Sequence, residues 1–366
     1  MNTFRCGAAS KDCTSPIEWR KREFVRRENE NSELIVNGFG SFIGLSQNCV
    51  TVRQEGETVL KQPIDTLSHI TISGKGITMS SNLIEYCLEN KISIDFFGHG
   101  FRHCGSIMSN RIIEGAHWSR QGNCTDDRRA ILARSIIMGK VKNQFHLIKY
   151  FHKYHKKEHP ELIEIFNEME CFYGDFDKAL KSETALDAES YIPFLMLLEA
   201  RAAGKYWKYL RYLLSNEDIR FEGREKKGAT DVVNCMLNYG YAILYSRVWQ
   251  ALLKAKLNPF DSVIHVPQSG KPTFVYDVVE IFRAQAVDRV VVSLVQKGYH
   301  LSVCDGMLDE STKVLVAKSV LERLNRIEKF NGMRMTLDEI ILHQAREIAF
   351  FFREEESSFK PYVAKW

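Results

Sequence analysis

The chain has 366 residues, 45% hydrophobic and 26% charged, with only 8 Pro, a composition that excludes a mostly disordered or fibrous chain. At roughly 150 residues per domain, that length suggests two domains and a sizeable core. A balance of 50 Lys and Arg against 46 Asp and Glu gives a net charge of +4, too mild to establish a polyanion partner, so any basic surface is local.

Residues 1–32 mix Arg20, Lys21, Arg22, Glu23, Arg26, Arg27, Glu28 and Glu30 with few large apolar residues. They read as a charged, mobile or loosely docked extension. The opening MNTFRCGAASKDC has no apolar core of a signal peptide, and no run approaches the roughly 18 apolar residues of a membrane span. The expectation is a cytoplasmic protein without a membrane partner. Over 33–110 the runs ELIVNG, SFIGLS, NCVTVRQ, ETVLKQ and LSHITISG are short and rich in β-branched residues. They predict a small β domain, interrupted by one helix over Met79–Glu89 and resumed by strands at Ile92–Phe97 and Phe101–Met108. Residues 111–125 read as a linker. Over 126–366 the period lengthens, and Asp126–His155, Leu162–Phe172, Pro193–Leu214, Thr230–Ala255, Val275–Lys297, Ser311–Phe330 and Thr336–Arg353 are long enough for helices. The fold class is therefore α+β: a small N-terminal β-sandwich-like domain, then a larger all-α bundle.

The 9 Cys are odd in number, scattered, and contain no C-x-x-C pair, which argues against a disulfide framework and a structural zinc site.

Four residues carry the candidate chemistry. Glu199 lies in FLMLLEARAAGKYW among Phe194, Leu195, Leu197 and Leu198. A carboxylate buried there needs a cation, a proton or a metal, and a salt bridge to Arg201, Lys205 or another helix is the plain alternative. Asp277 and Glu280, in FVYDVVEIFR, are spaced i,i+3, which on a helix puts like charges about 5 to 6 Å apart on one face. Pairing of Glu280 with Arg283 is the simpler reading. His265 stands in a loop carrying Pro259, Pro267 and Pro272; a lone His is more often a satisfied loop residue than a ligand. Together, the carboxylates and one imidazole form a hard donor set suited to Mg²⁺ or Mn²⁺ with positions open for phosphate oxygens.

NYGYAILYSRVWQALLKAKLNP (238–259), VIH, and KPTFVYDVVEIFRAQAVDRVV (271–291) resemble the CRISPR-associated integrase family, whose members capture foreign DNA fragments as spacers. LLEARAAGKYW and ARSIIMGKVKNQ (133–144) fit the same family, and the resemblance covers about residues 33–362. It implies a metal-dependent endonuclease and integrase of antiviral defence, acting as a homodimer with a small ferredoxin-like partner protein. Its substrates would be double-stranded DNA with 3′ ends and a repeat-containing target. By motif, the metal-binding Glu is Glu199, the metal-binding His is His265, and the acidic helix positions are Asp277 and Glu280, the last commonly Asp in relatives. The implied reaction is attack of a DNA 3′-OH on a phosphodiester. Two rivals remain: an integrase of the same fold serving a mobile element, and a noncatalytic DNA-end-binding scaffold.

Around the site, Lys140, Lys142, Lys149, Lys153, Lys156 and Lys157 form the densest basic stretch, interleaved with His146, His152, His155 and His159. DNA backbone contact and a solvated helix face weigh equally there. Arg220, Arg224, Lys226 and Lys227 precede Thr230, a candidate N-cap, and are favoured for DNA contact. Asp231, Asn234, Asn238 and Tyr241 make a polar stripe, and Tyr206, Trp207, Tyr209 and Tyr212 an aromatic one that reads more readily as core than as a base-stacking platform.

Overall fold

A computed structural model of the protein describes residues 24–26, 32–98, 103–110, 113–155, 161–182, 188–216, 218–226, 228–304 and 306–364. Contacts divide the chain into two units, 1–114 and 115–366.

In the first unit the strands are β1 (Phe24–Arg26), β2 (Ser32–Val36), β3 (Phe42–Ser46), β4 (Cys49–Gln54), β5 (Glu57–Pro63), β6 (Leu67–Ile72), β7 (Thr78–Met79), β8 (Ser93–Phe97) and β9 (His103–Ile107), with helix α1 (Ser81–Glu89) before β8. They form a five-stranded sheet, β1-β2-β6-β8-β9, and a four-stranded sheet, β5-β4-β3-β7. Alternation directs Leu34, Val36, Ile70, Ile72 and Ile94 of one sheet and Ile43, Val50 and Val52 of the other into one shared core, closed by Leu83 and Cys87 of α1. This is the expected β-sandwich-like arrangement. The β3–β4 hairpin turns on Gln47 and Asn48, both at positive φ (50° and 57°), the twist that matches right-handed strands. The parallel pairs β2–β6 and β6–β8 need crossovers, supplied by the β3–β5 strands and by α1. Phe24–Arg26, read as part of the loose extension, instead pairs antiparallel with Leu34–Val36.

The second unit contains α2 (Gly115–Gly122), α3 (Asp126–His155), α4 (Glu161–Ser182), α5 (Ala188–Leu213), α6 (Val232–Lys254), α7 (Thr273–Val279), a π-helical segment (Ala284–Asp288), α8 (Arg289–Gln296), α9 (Glu310–Leu324) and α10 (Leu337–Phe352). Helix α2 falls inside the stretch read as a linker. Its Gln121 is fully buried, donates to the carbonyls of Asn258 and Asp261 at 3.0 Å and accepts from the Asn258 amide at 2.8 Å, which anchors it to this unit.

Two further departures concern sequence runs read as single helices. The run 275–297 breaks after Val279 and resumes through the π segment, a geometry common at functional sites. The run 311–330 ends at Leu324, and Ile327–Phe330 (β12) pairs with Met333–Thr336 (β13) across an Asn331-Gly332 turn with both φ positive. A second ribbon joins Val303–Cys304 (β10) to Met307–Leu308 (β11), so the bundle carries short β ribbons and is not purely helical. Among the described residues no helix is long and apolar enough to cross a membrane.

Candidate active site

Helix α3 buries a stripe that includes Ala133, Ile136, Ile137, Gly139, Asn143, Gln144 and Leu147. Lys140 lies on that stripe, one turn before Gln144, so its side chain enters the protein and requires anions. Two features set its depth. A Cβ at Gly139 would come within 2.6 Å of Pro361, so only glycine admits that segment beside the helix. Buried Asn143 donates to the carbonyls of Ile281 (2.9 Å) and Tyr362 (2.8 Å) and accepts from the Ala364 amide (2.9 Å). Gln285 adds a bond to the Asn143 carbonyl at 3.1 Å. The turn holding Glu280 is thereby clamped against α3.

The anions come from two other helical segments. Leu195, Leu198 and Ala202 are buried faces of α5 and carry Glu199 inward, with 23% of its side chain exposed. Glu280 caps the end of α7. The Lys140 ammonium lies 2.5 Å from Glu199 Oε1 and 2.6 Å from Glu280 Oε2. Arg283 donates to the other oxygen of Glu280 and to the Tyr245 hydroxyl, and lies over the Tyr241 and Tyr245 rings at 5.0 and 5.5 Å. Burial alone would raise the Glu280 carboxyl, but Arg283 and Lys140 overcome it and hold it down at about 2. Burial likewise opposes the Lys140 charge, and Glu280 and Glu199 outweigh it, so the ammonium is held above its usual range.

His265 and Asp277 form the opposite side. Arg129 secures the start of the loop, donating to the Ser262 carbonyl at 3.0 Å and to Asp261 Oδ1 at 3.0 Å. Asp277, wholly buried, accepts from the Ser262 hydroxyl (2.6 Å), from the amides of Val263 (2.7 Å), Ile264 (3.1 Å) and His265 (3.2 Å), and meets His265 Nδ1 at 2.6 Å. Those bonds fill both carboxylate oxygens. The expectation that Asp277 and Glu280 confront each other on one helix face is corrected: Asp277 holds the loop and orients the imidazole through Nδ1, while Glu280 meets Lys140 and Arg283. A protonated His265 is close enough to Glu280 to favour the carboxylate.

Among the described residues no three His, Cys, Asp or Glu side chains are drawn together as a ready metal cage. Glu199 and Glu280 nevertheless converge from separate helices on one cation, Lys140.

The model of the CRISPR associated protein Cas1 family matches residues 34–323. The chain belongs to the Cas1 family. A CRISPR-associated endonuclease Cas1 of Archaeoglobus fulgidus is 29% identical over 349 residues, covering 91% of this chain and 99% of that relative. Among solved structures, a Cas6-RT-Cas1–Cas2 complex aligns at TM-score 0.74 and 18% identity over 94% of this chain, which spans 37% of that longer one. A casposase bound to integration product aligns at TM-score 0.70 and 17% identity, covering 90% and 92% of the two chains. These structures share the fold.

Within this Cas1 fold the basic residues separate into distinct roles. Lys140, read as a DNA backbone contact, is the ion-pair centre just described; Lys142 is half-buried on the same helix. His146 Nδ1 meets the Ala364 carbonyl at 2.6 Å, and His152 stacks on Phe166 at 4.1 Å, which draws both into packing. Lys156, Lys157, His159 and Lys227 lie outside the described residues. Arg220 is exposed and pairs with Glu222. Arg224 turns inward: its guanidinium donates to Asn234 Oδ1 at 2.9 Å and Asn238 Oδ1 at 2.6 Å and lies over Tyr241 at 5.2 Å. Lys226 is exposed, yet its ammonium is lowered, first by desolvation and then by Arg283, which brings it into the same cationic neighbourhood.

The polar stripe is therefore structural support. Asp231, and not Thr230, caps α6 by accepting from the Asn234 amide at 2.8 Å. Asn234 also donates to the Gly223 carbonyl at 2.8 Å, fixing the basic loop. Tyr241 and the buried Tyr206 donate to Asp288 at 2.5 and 2.6 Å. The aromatic stripe is core at Tyr206 and Tyr209. Sequence reasoning missed Lys140 and Tyr245 as members of the site; the register of Lys140 on a buried stripe was the available signal.

Proposed function

We propose that this Cas1-family chain is a divalent-metal-dependent DNA nuclease and strand-transfer enzyme that inserts DNA fragments into a CRISPR array, with Mg²⁺ or Mn²⁺ as cofactor. The observation that carries this reading is the convergence of Glu199 and Glu280 on one cation position beside His265. The donors fit such an ion: two carboxylate oxygens and one imidazole nitrogen suit a hard divalent cation. Glu199, Glu280 and His265 would hold it, and when bound it would polarise the phosphoryl oxygen and acidify the attacking hydroxyl.

The remaining steps belong to the chain itself. Asp277 keeps the imidazole in one orientation, so that Nε2 presents its lone pair at a fixed angle. Arg283, Arg224 and Lys226 supply positive charge beside the carboxylates, suited to the nonbridging oxygens of a phosphodiester. The DNA 3′-OH is the nucleophile and the leaving group is the opposing 3′ oxygen of the target strand, so no covalent bond to protein forms. Water in place of the 3′-OH gives hydrolysis from the same groups. A homodimer and a small ferredoxin-like partner complete the proposal; the complex named above, which contains Cas1 and Cas2, supports a partner protein. The curated relative's name, an endonuclease of Cas1, supports this reading over a mobile-element integrase, because the casposase likeness is one of fold.

The test is a joining assay with a short duplex and a repeat-containing plasmid. Free 3′ ends are joined in Mn²⁺, and neither chelator nor 3′-dideoxy donors yield product. Joining from blocked 3′ ends, or a protein–DNA adduct on a denaturing gel, overturns the mechanism; full activity in chelator removes the metal.

A further inference from the structure

We propose that Lys140 is a resident counter-ion: its ammonium occupies the place between Glu199 and Glu280 in the metal-free protein and leaves when a divalent cation enters. The metal affinity of the site is then set by competition with a side chain of the same protein. This inference rests on the metal-dependent reading above.

The argument begins with position. The ammonium nitrogen touches the same two carboxylates that would bind the metal, at 2.5 and 2.6 Å. A Mg²⁺ ion takes its oxygens at about 2.0 to 2.1 Å, so a metal bound to these two oxygens on the side where the ammonium lies would overlap it. Two cations cannot share that space.

Charge points the same way. Glu199 and Glu280 carry two negative charges, and Lys140 and Arg283 two positive ones. The metal-free arrangement is thus neutral and stable without a metal, and a divalent ion admitted to it displaces the more weakly anchored cation. Arg283 is the firmer of the two, tied to Tyr245 and packed over two aromatic rings. Lys140 is a point charge on a flexible four-carbon stem, and its contacts in the structure are the two carboxylates. Its backbone cannot follow, because Gly139 lies against Pro361 and Asn143 is bonded to Ile281 and Tyr362. The movement is therefore one of rotamers. With the metal in and Lys140 retained nearby, the site carries a surplus of positive charge, the condition that attracts a phosphodiester.

A salt bridge with a purely structural role predicts the opposite response to mutation. If Lys140 holds the carboxylates in place for the metal, removing it weakens metal binding. If it competes, removing it strengthens binding, by on the order of tenfold where the ammonium occupies the site nine-tenths of the time.

Mn²⁺ is titrated calorimetrically into the full-length protein and its Lys140→Met variant, and both are melted in chelator and in Mn²⁺. The expected result is that Lys140→Met binds Mn²⁺ more tightly, melts lower in chelator and gains more from Mn²⁺. Equal or weaker Mn²⁺ binding by the variant overturns the inference and leaves the metal reading intact. Mn²⁺ binding by neither protein removes the metal reading, and the inference with it. A second measurement needs no variant: acetylation of Lys140 by acetic anhydride, read by peptide mass spectrometry against exposed Lys75, is slow in chelator and faster in Mn²⁺. A Lys140 rate that Mn²⁺ leaves unchanged also overturns the inference.

Discussion

Asp277 and Glu280 stand three residues apart, yet Asp277 is satisfied by hydrogen bonds from residues 262–265 and Glu280 by the charges of Lys140 and Arg283. Amides on a short loop are fixed in direction and cannot be exchanged for another ligand. Charges on long side chains are replaceable by any cation of suitable size. The loop side of the site is thus preorganised, and the helix side is a place where one cation gives way to another. The difference follows from local structure. Helix α7 ends at Val279, so Asp277 faces the loop before it while Glu280 begins the turn clamped to α3.

The largest test of this contrast is Glu280→Gln. It leaves Lys140 and Arg283 without their shared carboxylate, and because both are partly buried we expect a loss of about 3 kcal/mol in chelator, together with loss of strand transfer. Relief of repulsion with Asp277, which the i,i+3 spacing alone would suggest, is not expected. A variant as stable as the wild type in chelator melts would mean that the cations are satisfied elsewhere.

Asp277→Asn should act on the other side. The amide group presents donors to the loop amides, which already donate, and leaves some of them unpaired at a cost of about 1 to 3 kcal/mol. His265 loses its orientation, and strand transfer falls roughly 10- to 100-fold. His265→Ala should lower activity without the loss of stability, so thermal melts of the pair separate loop support from ligation. Equal melting temperatures for Asp277→Asn and wild type would break the comparison.

The smallest effect is expected in the core behind the site. Burial raises the Asp288 carboxyl to about 6, against the lowering by its bonds from Tyr206 and Tyr241 and by Arg283 and Arg224. A folded-state value above the unfolded one means that the folded state holds the proton more tightly, so this group costs stability as pH rises from about 4 to about 6. The cost is on the order of 1 to 3 kcal/mol. Denaturant melts of Asp288→Asn at pH 4.5 and 6.5 should show a smaller loss across that interval than wild type. An identical pH dependence would place the Asp288 titration outside this range.

The strands of the first unit and Asp126–His155 were readable because one period dominates each: alternation against a single core, or a buried stripe at helical spacing. The break after Val279 was hidden because the apolar residues of 275–297 keep helical spacing straight through it, and a continuous pattern carries no mark of where a helix must stop. The hairpin after α9 did leave a mark, the Asn331-Gly332 pair, overridden by the apolar pattern before it. For the site, residue type and motif pointed to Glu199, His265 and Glu280, since acids and a His in apolar surroundings need a reason to be there.

The sequence by itself determined the α+β order, the two-unit length scale and the residues able to bind a divalent cation, because local periodicity and side-chain chemistry are written along the chain. The tertiary structure alone decided that Asp277 serves the loop and that Lys140 enters the carboxylate pair. Those assignments depend on which way a side chain leaves a helix end and on which helix packs opposite. Here that was settled by Asn143, 138 residues from the Ile281 carbonyl it holds, a distance no local pattern spans.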